Sequence, residues 1–187
     1  MANPPIDRHD AIKDEFFSIL GKIVVEWSQL ELEIKEAIGI CVGGGDQGLY
    51  DRITANVQFT TLLALLNSLF HYRVHDQKSL EHFDVLRGKL ENDLYIKRND
   101  LMHSHWFISA ANLKLTTRID KITRRGKTGF ALKLGAPSVE SLEELIKEIR
   151  KAAREVREIV GSNGKAIKRH IRITPKFPTV LMLHGNS

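Results

Sequence analysis

Residues 97–106, with the sequence Lys-Arg-Asn-Asp-Leu-Met-His-Ser-His-Trp, combine the residue types that phosphodiester chemistry needs. Arg98 is a permanent cation that can hold a phosphate through paired hydrogen bonds. His103 and His105 can give and take protons near neutral pH. Asn99 can orient a reacting group beside them. These four residues form the candidate catalytic set.

The apolar pattern around this segment indicates where Arg98 lies. Apolar residues recur at three- and four-residue steps along one helical face, and Arg98 falls on that face between Leu94 and Leu101. A guanidinium on the core side of a helix is costly unless it is paired with an acid or faces a cleft. Arg98 is therefore either a structural residue paired with a glutamate of the first helix or a functional residue that meets a ligand.

Helical spacing leaves the identity of the proton carrier open. Asn99 and His103 are four residues apart and share a face, whereas His105 returns to the Arg98 face only if the helix stays regular that far. Tyr95 lies one turn before the motif. It is either a half-buried aromatic residue or a group that helps to hold a phosphate or a base.

The pattern Arg98-Asn99-x-x-x-His103, followed by Ser104-His105-Trp106 and carried on a late helix of a helical domain, resembles the HEPN superfamily. Members of that superfamily share an Arg followed, after four to six residues, by a His. The segment Trp27-Ser28-Gln29-Leu30-Glu31 in the first long helix is similar to the Leu-Glu element of prokaryotic members. The resemblance covers roughly residues 10–160.

This resemblance implies a metal-independent endoribonuclease without a cofactor, often a toxin or defence protein, with the two motifs of a homodimer lining one cleft. Arg98 would hold the scissile phosphate, and His103 would act as general acid or base on the ribose 2′-OH or the leaving oxygen. Asn99 would orient the site, His105 would be a second proton carrier or a substitute, and Glu31 would hold Arg98 in place. A protein partner such as an antitoxin also fits. The alternative is a non-catalytic helical binding module with a structural Arg98–His103 network.

The net charge of +5 is unevenly distributed along the chain. Residues 114–133 contain seven Lys and Arg against one Asp, and residues 163–187 contain five Lys and Arg and no acid. Within the first of these segments, Arg124, Arg125 and Lys127 form a basic turn. Neutralising phosphates supplies most of the sequence-independent affinity for nucleic acids, so these residues are the candidate RNA contacts.

Periodicity predicts four main helices and one β-hairpin. The helices run from Asp10 to about Ile40, from about Gln58 to Arg73, from an N-cap at Ser79 through the motif, and from Ser138 to about Val160. The pattern alternates between about 112 and 135, which predicts an inserted hairpin with the basic turn at its tip. The hairpin would be a wall for RNA or a dimerisation element. The predicted fold class is an all-α, up-and-down bundle with this insertion.

The predicted organisation is one helical domain, residues 10–162, followed by a basic C-terminal arm, residues 163–187. The arm would extend over a surface or a partner, or be disordered. A single cysteine, Cys41, excludes an internal disulfide and cannot build a zinc site by itself. Neither a signal-peptide core nor an apolar run of about 20 residues is present. We therefore expect a cytoplasmic protein that makes no membrane contact.

Overall fold

The computed structural model describes the backbone of residues 8–43, 47–103, 105–108, 115–121, 131–135 and 137–173, and the side chains of residues 14–43, 51–103 and 137–168. In these ranges the chain forms seven α-helices, one π-helical turn and three β-strands. In chain order they are α1 (Arg8–Val42), α2 (Gln47–Thr54), α3 (Phe59–Arg73), α4 (Gln77–Lys89), the π-turn (Leu90–Leu94), α5 (Tyr95–Met102), β1 (His105–Ile108), β2 (Leu115–Lys121), β3 (Ala131–Gly135), α6 (Val139–Ser162) and α7 (Gly164–Ile173).

The long helix α1 is the centre of the bundle, because its apolar face is covered by α6 on one side and α3 on the other. Ile23, Leu30 and Ile34 recur at helical spacing and are fully buried. Helix α6 begins at the predicted cap, where the Ser138 hydroxyl accepts the backbone N–H of Ser141 at 3.2 Å. The predicted spans of α1, α3 and α6 are thus confirmed to within a few residues.

The helix that carries the motif differs from the prediction at both ends. Its N-cap is Asp76 and not Ser79: the Asp76 carboxylate accepts the Ser79 backbone N–H at 2.9 Å and the Ser79 hydroxyl at 2.7 Å. The helix ends at Met102 with His103 as its C-cap, so His105 does not continue the helical face of Arg98. Between these ends, the Tyr95 N–H donates to the Leu90 carbonyl five residues back and closes the π-turn.

The segment after the motif is a three-stranded antiparallel sheet in the order β1-β2-β3. In β1, His105 is the register partner of Arg118 in β2. The prediction of an all-α bundle with an inserted two-stranded hairpin is therefore wrong. His105 and Trp106, which we placed in the motif at the end of the helix, instead begin an outer strand of the sheet, because pairing with β2 outweighs their short helical pattern.

The beginning of the predicted C-terminal arm is also helical. Helix α7 follows α6 after a single turn residue, Asn163, and buries Ile167 completely against the bundle. The extended arm that we expected from residue 163 therefore does not start there, and residues 174–187 lie outside the described part of the chain. Among the described helices, none has both the length and the apolar content that a membrane crossing requires.

Candidate functional site

Arg98 lies on α5 with its side chain half-buried and directed at α1. The guanidinium carbon is 5.8 Å from the centre of the Trp27 ring system, which is itself only 2% exposed. A guanidinium over an indole face is attracted by the negative face of the ring. Helical periodicity placed Arg98 on the core side of its helix, and this position is confirmed.

The polar contacts of Arg98 within the described residues include one amide oxygen and no carboxylate. Its Nη1 donates to Asn99 Oδ1 at 3.0 Å, while its Nε is buried and has no hydrogen-bond partner in the described part of the chain. No carboxylate among the described residues forms an ion pair with Arg98. These contacts therefore do not support the structural interpretation, in which a glutamate of the first helix neutralises Arg98.

Glu31 also lies beside Trp27, and its hydrogen bond is to that residue. Its Oε1 accepts the Trp27 Nε1–H at 2.9 Å. Trp27 is thus held by Glu31 at its nitrogen and covered by Arg98 on its face, so Glu31 supports Arg98 only through the indole. The sequence analysis did not include Trp27 among the site residues. Its position on the buried face of α1 could have indicated that it faces the core side of the motif helix.

Tyr95 belongs to an aromatic cluster beside Arg98. Its ring stacks on Phe59 with 5.3 Å between centroids and 12° between planes, and Phe59 lies 4.6 Å from Trp27. The neighbouring Lys97 is held in ion pairs with Asp93 at 3.0 Å and with Glu148 of α6 at 3.2 Å. Tyr95 and Phe59 therefore pack together beside Trp27, and Lys97 joins α5 to α6.

His103 is exposed at the C-terminal end of α5. Its backbone N–H donates to the Asn99 carbonyl at 3.0 Å, which fixes its position one turn after Asn99. The imidazole of His103 is exposed, and it lies five residues after Arg98 in the chain. His105 is two residues further on, in β1, and only its backbone is described. Arg98, Tyr95 and Glu31 all contact Trp27, Asn99 contacts Arg98, and His103 is the C-cap of the same helix.

The predicted RNA contacts Arg124, Arg125 and Lys127 lie outside the described residues. Cys41 is inside them and is buried at the end of α1. Burial raises the pKa of its thiol to about 11, against the opposing effect of the Arg73 charge, so the thiol stays protonated at neutral pH. A nucleophilic role for Cys41 would need the thiolate, which this environment disfavours.

Comparisons with known proteins assign no family to this site. No protein-family model matches the chain, and neither a curated protein nor a solved structure was found that is similar to it.

Proposed function

We propose that this chain is a metal-independent endoribonuclease in which Arg98 holds the scissile phosphate. The observation that carries the proposal is the state of Arg98: a half-buried cation, supported by the face of Trp27 and one amide oxygen, with no carboxylate partner among the described residues. A buried charge is normally paired, and the buried Nε of Arg98 has no hydrogen-bond partner among the described residues. An anionic ligand would supply the missing partner, and phosphate matches the planar donor geometry of a guanidinium.

The chemistry follows from the groups around Arg98. A histidine acting as general base takes the proton of the ribose 2′-OH, whose oxygen attacks the adjacent phosphorus. The P–O5′ bond breaks, and the leaving oxygen takes a proton from a general acid. Arg98 stabilises the negative charge that builds on the phosphate oxygens in the transition state. His103 and His105 are the proton carriers, and the products are a 2′,3′-cyclic phosphate and a 5′-hydroxyl.

The test is cleavage of end-labelled structured RNA in excess chelator by the wild type and by His103→Ala, His105→Ala and the double variant. His82→Ala is the matched control, because His82 is an exposed histidine on α4, away from the site. We expect the double variant to lose cleavage, the control to retain it, and the products to carry cyclic phosphate ends. A DNA strand of matched sequence should stay intact because it has no 2′-hydroxyl. Cleavage of that DNA would refute the proposed chemistry.

Binding of RNA without cleavage is the second candidate function. The contacts of Arg98 with Trp27 and Asn99 support it as well as they support cleavage. The stack on Trp27 and the bond to Asn99 hold a phosphate-binding group in place whether or not a reaction follows. Filter binding of the same RNA separates the two functions: wild type that binds RNA but never cuts it is a binding module. If RNA is the substrate, the proposal also includes a cytoplasmic location and an antitoxin-like protein partner.

A further inference from the structure

The π-turn determines which residue of α5 faces the core. In a regular α-helix each residue adds about 100° around the axis, so the twelve steps from the buried Leu86 to Arg98 would leave Arg98 about 120° away from Leu86. A π-turn takes up one extra residue and so removes about 100° from that angle. Arg98 then lies within about 20° of Leu86, on the side where it contacts Trp27.

The same geometry applies to Lys97, the neighbour of Arg98 in the chain. In a regular helix of this sequence, Lys97 would lie within about 20° of Leu86, so Lys97 and not Arg98 would be turned toward α1. With the π-turn, Lys97 lies on the flank of the helix, about 80° from Leu86. The register of α5 therefore selects one of two adjacent cations for the site.

Glu148 of α6 binds a lysine on each side of the π-turn. Its Oε1 lies 3.4 Å from the Nζ of Lys89, the last residue of α4, and its Oε2 lies 3.2 Å from the Nζ of Lys97. In a regular helix the two lysines would be about 80° apart around the axis, whereas the π-turn reduces this angle to about 20°. The two contacts of this one carboxylate therefore fit the observed register and not the regular one.

The ion pair between Asp93 and Lys97 does not select a register. The two residues are four apart on one continuous helical segment, with 3.0 Å between the Asp93 carboxylate and the Lys97 Nζ, so this pair can persist when α5 rotates. Glu148 lies on a different helix, so only one register of α5 places Lys97 beside it. Its side chain is 27% exposed, which limits the screening of its ion pairs by solvent.

We propose that Glu148 is a positioning residue: by pairing with Lys89 and Lys97 on the two sides of the π-turn, it holds α5 in the register that turns Arg98 toward Trp27. This role rests on the proposed function, in which Arg98 holds the phosphate. Apolar packing of α5 favours the same register, so loss of the carboxylate loosens the turn without unfolding the helix. Without it, the turn opens more often, and Arg98 leaves the Trp27 ring for part of the time.

The experiment is NMR spectroscopy of the full-length chain without RNA, for the wild type and Glu148→Gln. The indole N–H signal of Trp27 reports the position of Arg98, and hydrogen exchange of the Tyr95 amide reports opening of the π-turn. Trp106→Phe identifies the Trp27 signal, and Arg98→Met gives that signal without the guanidinium. In Glu148→Gln we expect the indole signal to move toward its Arg98→Met position and the Tyr95 amide to exchange roughly fivefold faster.

Lys89→Met separates this role from a simple tie between α5 and α6. Lys89 precedes the π-turn, so it can act on the register of α5 only through Glu148. We expect Lys89→Met to move the indole signal and the amide exchange in the same direction as Glu148→Gln. Glu144→Gln is the matched control, because Glu144 pairs with Lys147 on α6 itself and should leave both readings unchanged.

Deletion of Asn92 tests the register directly. Asn92 is an exposed residue of the π-turn, and its loss removes the extra residue and leaves a regular helix with Arg98 on the same side. In this background Glu148→Gln should no longer move the Trp27 signal. Circular dichroism checks that each variant keeps its helices, and the lysine variants decide alone if the deletion unfolds the chain.

Three outcomes would overturn the proposal. The first is a Glu148→Gln variant with both readings at their wild-type values. The second is a change in Lys97→Met that is absent in Lys89→Met, which would reduce Glu148 to a tie between two helices. The third is an equal effect of Glu148→Gln in the deletion background. None of these readings uses RNA, so a protein that gives the expected signals and cuts no RNA would refute the proposed function and leave the placement of Arg98 by Glu148 intact.

Discussion

At the scale of single residues, the energetics of Arg98 separate a structural role from a functional one. A structural arginine is stabilised by its partners, and its removal leaves a buried acid uncompensated at a cost of about 3–5 kcal/mol. Arg98 has no acid partner among the described residues and has a buried Nε without a hydrogen bond. Its contribution to folding should therefore be small or unfavourable.

Replacing Arg98 with Met is the corresponding stability test. Methionine keeps an unbranched stem over the Trp27 ring but removes the charge and the unpaired donor. We expect the free energy of unfolding of Arg98→Met, measured in urea, to lie within about 1 kcal/mol of the wild type or above it. The matched variant Trp27→Ala should lose about 3–5 kcal/mol, because it empties a buried aromatic site. A comparable loss in Arg98→Met would mean that Arg98 is structural.

The residues of the site could be predicted from the sequence only where one helix contains the information. Arg98 shares its helix with the apolar residues that define the core side, so periodicity located it. Its contact with Trp27 joins two helices far apart in the chain, and no local pattern encodes that distance. The resemblance of the Trp27–Glu31 segment placed Glu31 at the site, where it does lie. Its hydrogen bond, however, is to the indole of Trp27 and not to Arg98.

At the scale of helices, α1 and α6 are joined by two ion pairs among the described residues, Glu26–Arg150 and Glu33–Arg157, and the second involves a buried carboxylate. Glu33 is 3% exposed and accepts hydrogen bonds from Arg157, including one from Nε at 2.9 Å, and a further one from Gln29 at 3.0 Å. The hydrogen bonds from Arg157 hold the pKa of Glu33 below its ordinary value of 4.5, although burial opposes them. The carboxylate is therefore favoured in the folded state.

A lowered pKa in the folded state means that Glu33 stabilises the protein above pH 4.5 and that this contribution is lost as the pH falls through the folded-state value. We expect Glu33→Gln to be less stable than the wild type at pH 7, with a difference that shrinks as the pH falls below the ordinary value of 4.5. Urea unfolding at a series of pH values measures this. Glu91→Gln is the control, because among the described residues the ion pair of Glu91 is an exposed one with Arg87. A stability difference for Glu33→Gln that grows in acid would contradict the assignment.

The helices that could be predicted are those in which one long apolar face repeats, as in α1, α3 and α6. Their ends were harder to locate because several residues can cap a helix. Ser79 is a good N-cap residue, but Asp76 occupies the cap and Ser79 donates to it. The π-turn and the helix end at Met102 depend on packing and on pairing of β1 with β2, which periodicity does not report. The regular helix that would have put His105 on the face of Arg98 therefore ends before His105.

At the scale of the whole molecule, charge should govern the affinity for RNA. The chain carries a net charge of +5, and its basic residues are concentrated in residues 114–133 and 163–187. Affinity that arises from neutralised phosphates falls with salt, with a slope of about 0.7 per phosphate contact for single strands. The proposed binding of RNA should therefore weaken steeply as salt is added.

Replacing Arg124, Arg125 and Lys127 together with Gln tests the basic turn. If each of the three contacts one phosphate, the slope of log affinity against log salt should decrease by about 2. Binding of a fluorescent RNA at several salt concentrations gives the slope. The control Lys147→Gln/Lys151→Gln removes exposed cations of α6. An unchanged slope in the triple variant would show that RNA does not contact this turn.

The most direct test of the central claim, that Arg98 holds the scissile phosphate, is the single-turnover rate of RNA cleavage by Arg98→Lys. Lysine keeps the positive charge but loses the planar pair of donors that matches a phosphate. We predict a fall of roughly 100-fold or more, the size expected when a preorganised donor to the transition state is lost. The fold should be unchanged, and His82→Ala should cleave at the wild-type rate. A rate for Arg98→Lys within twofold of the wild type would contradict the claim.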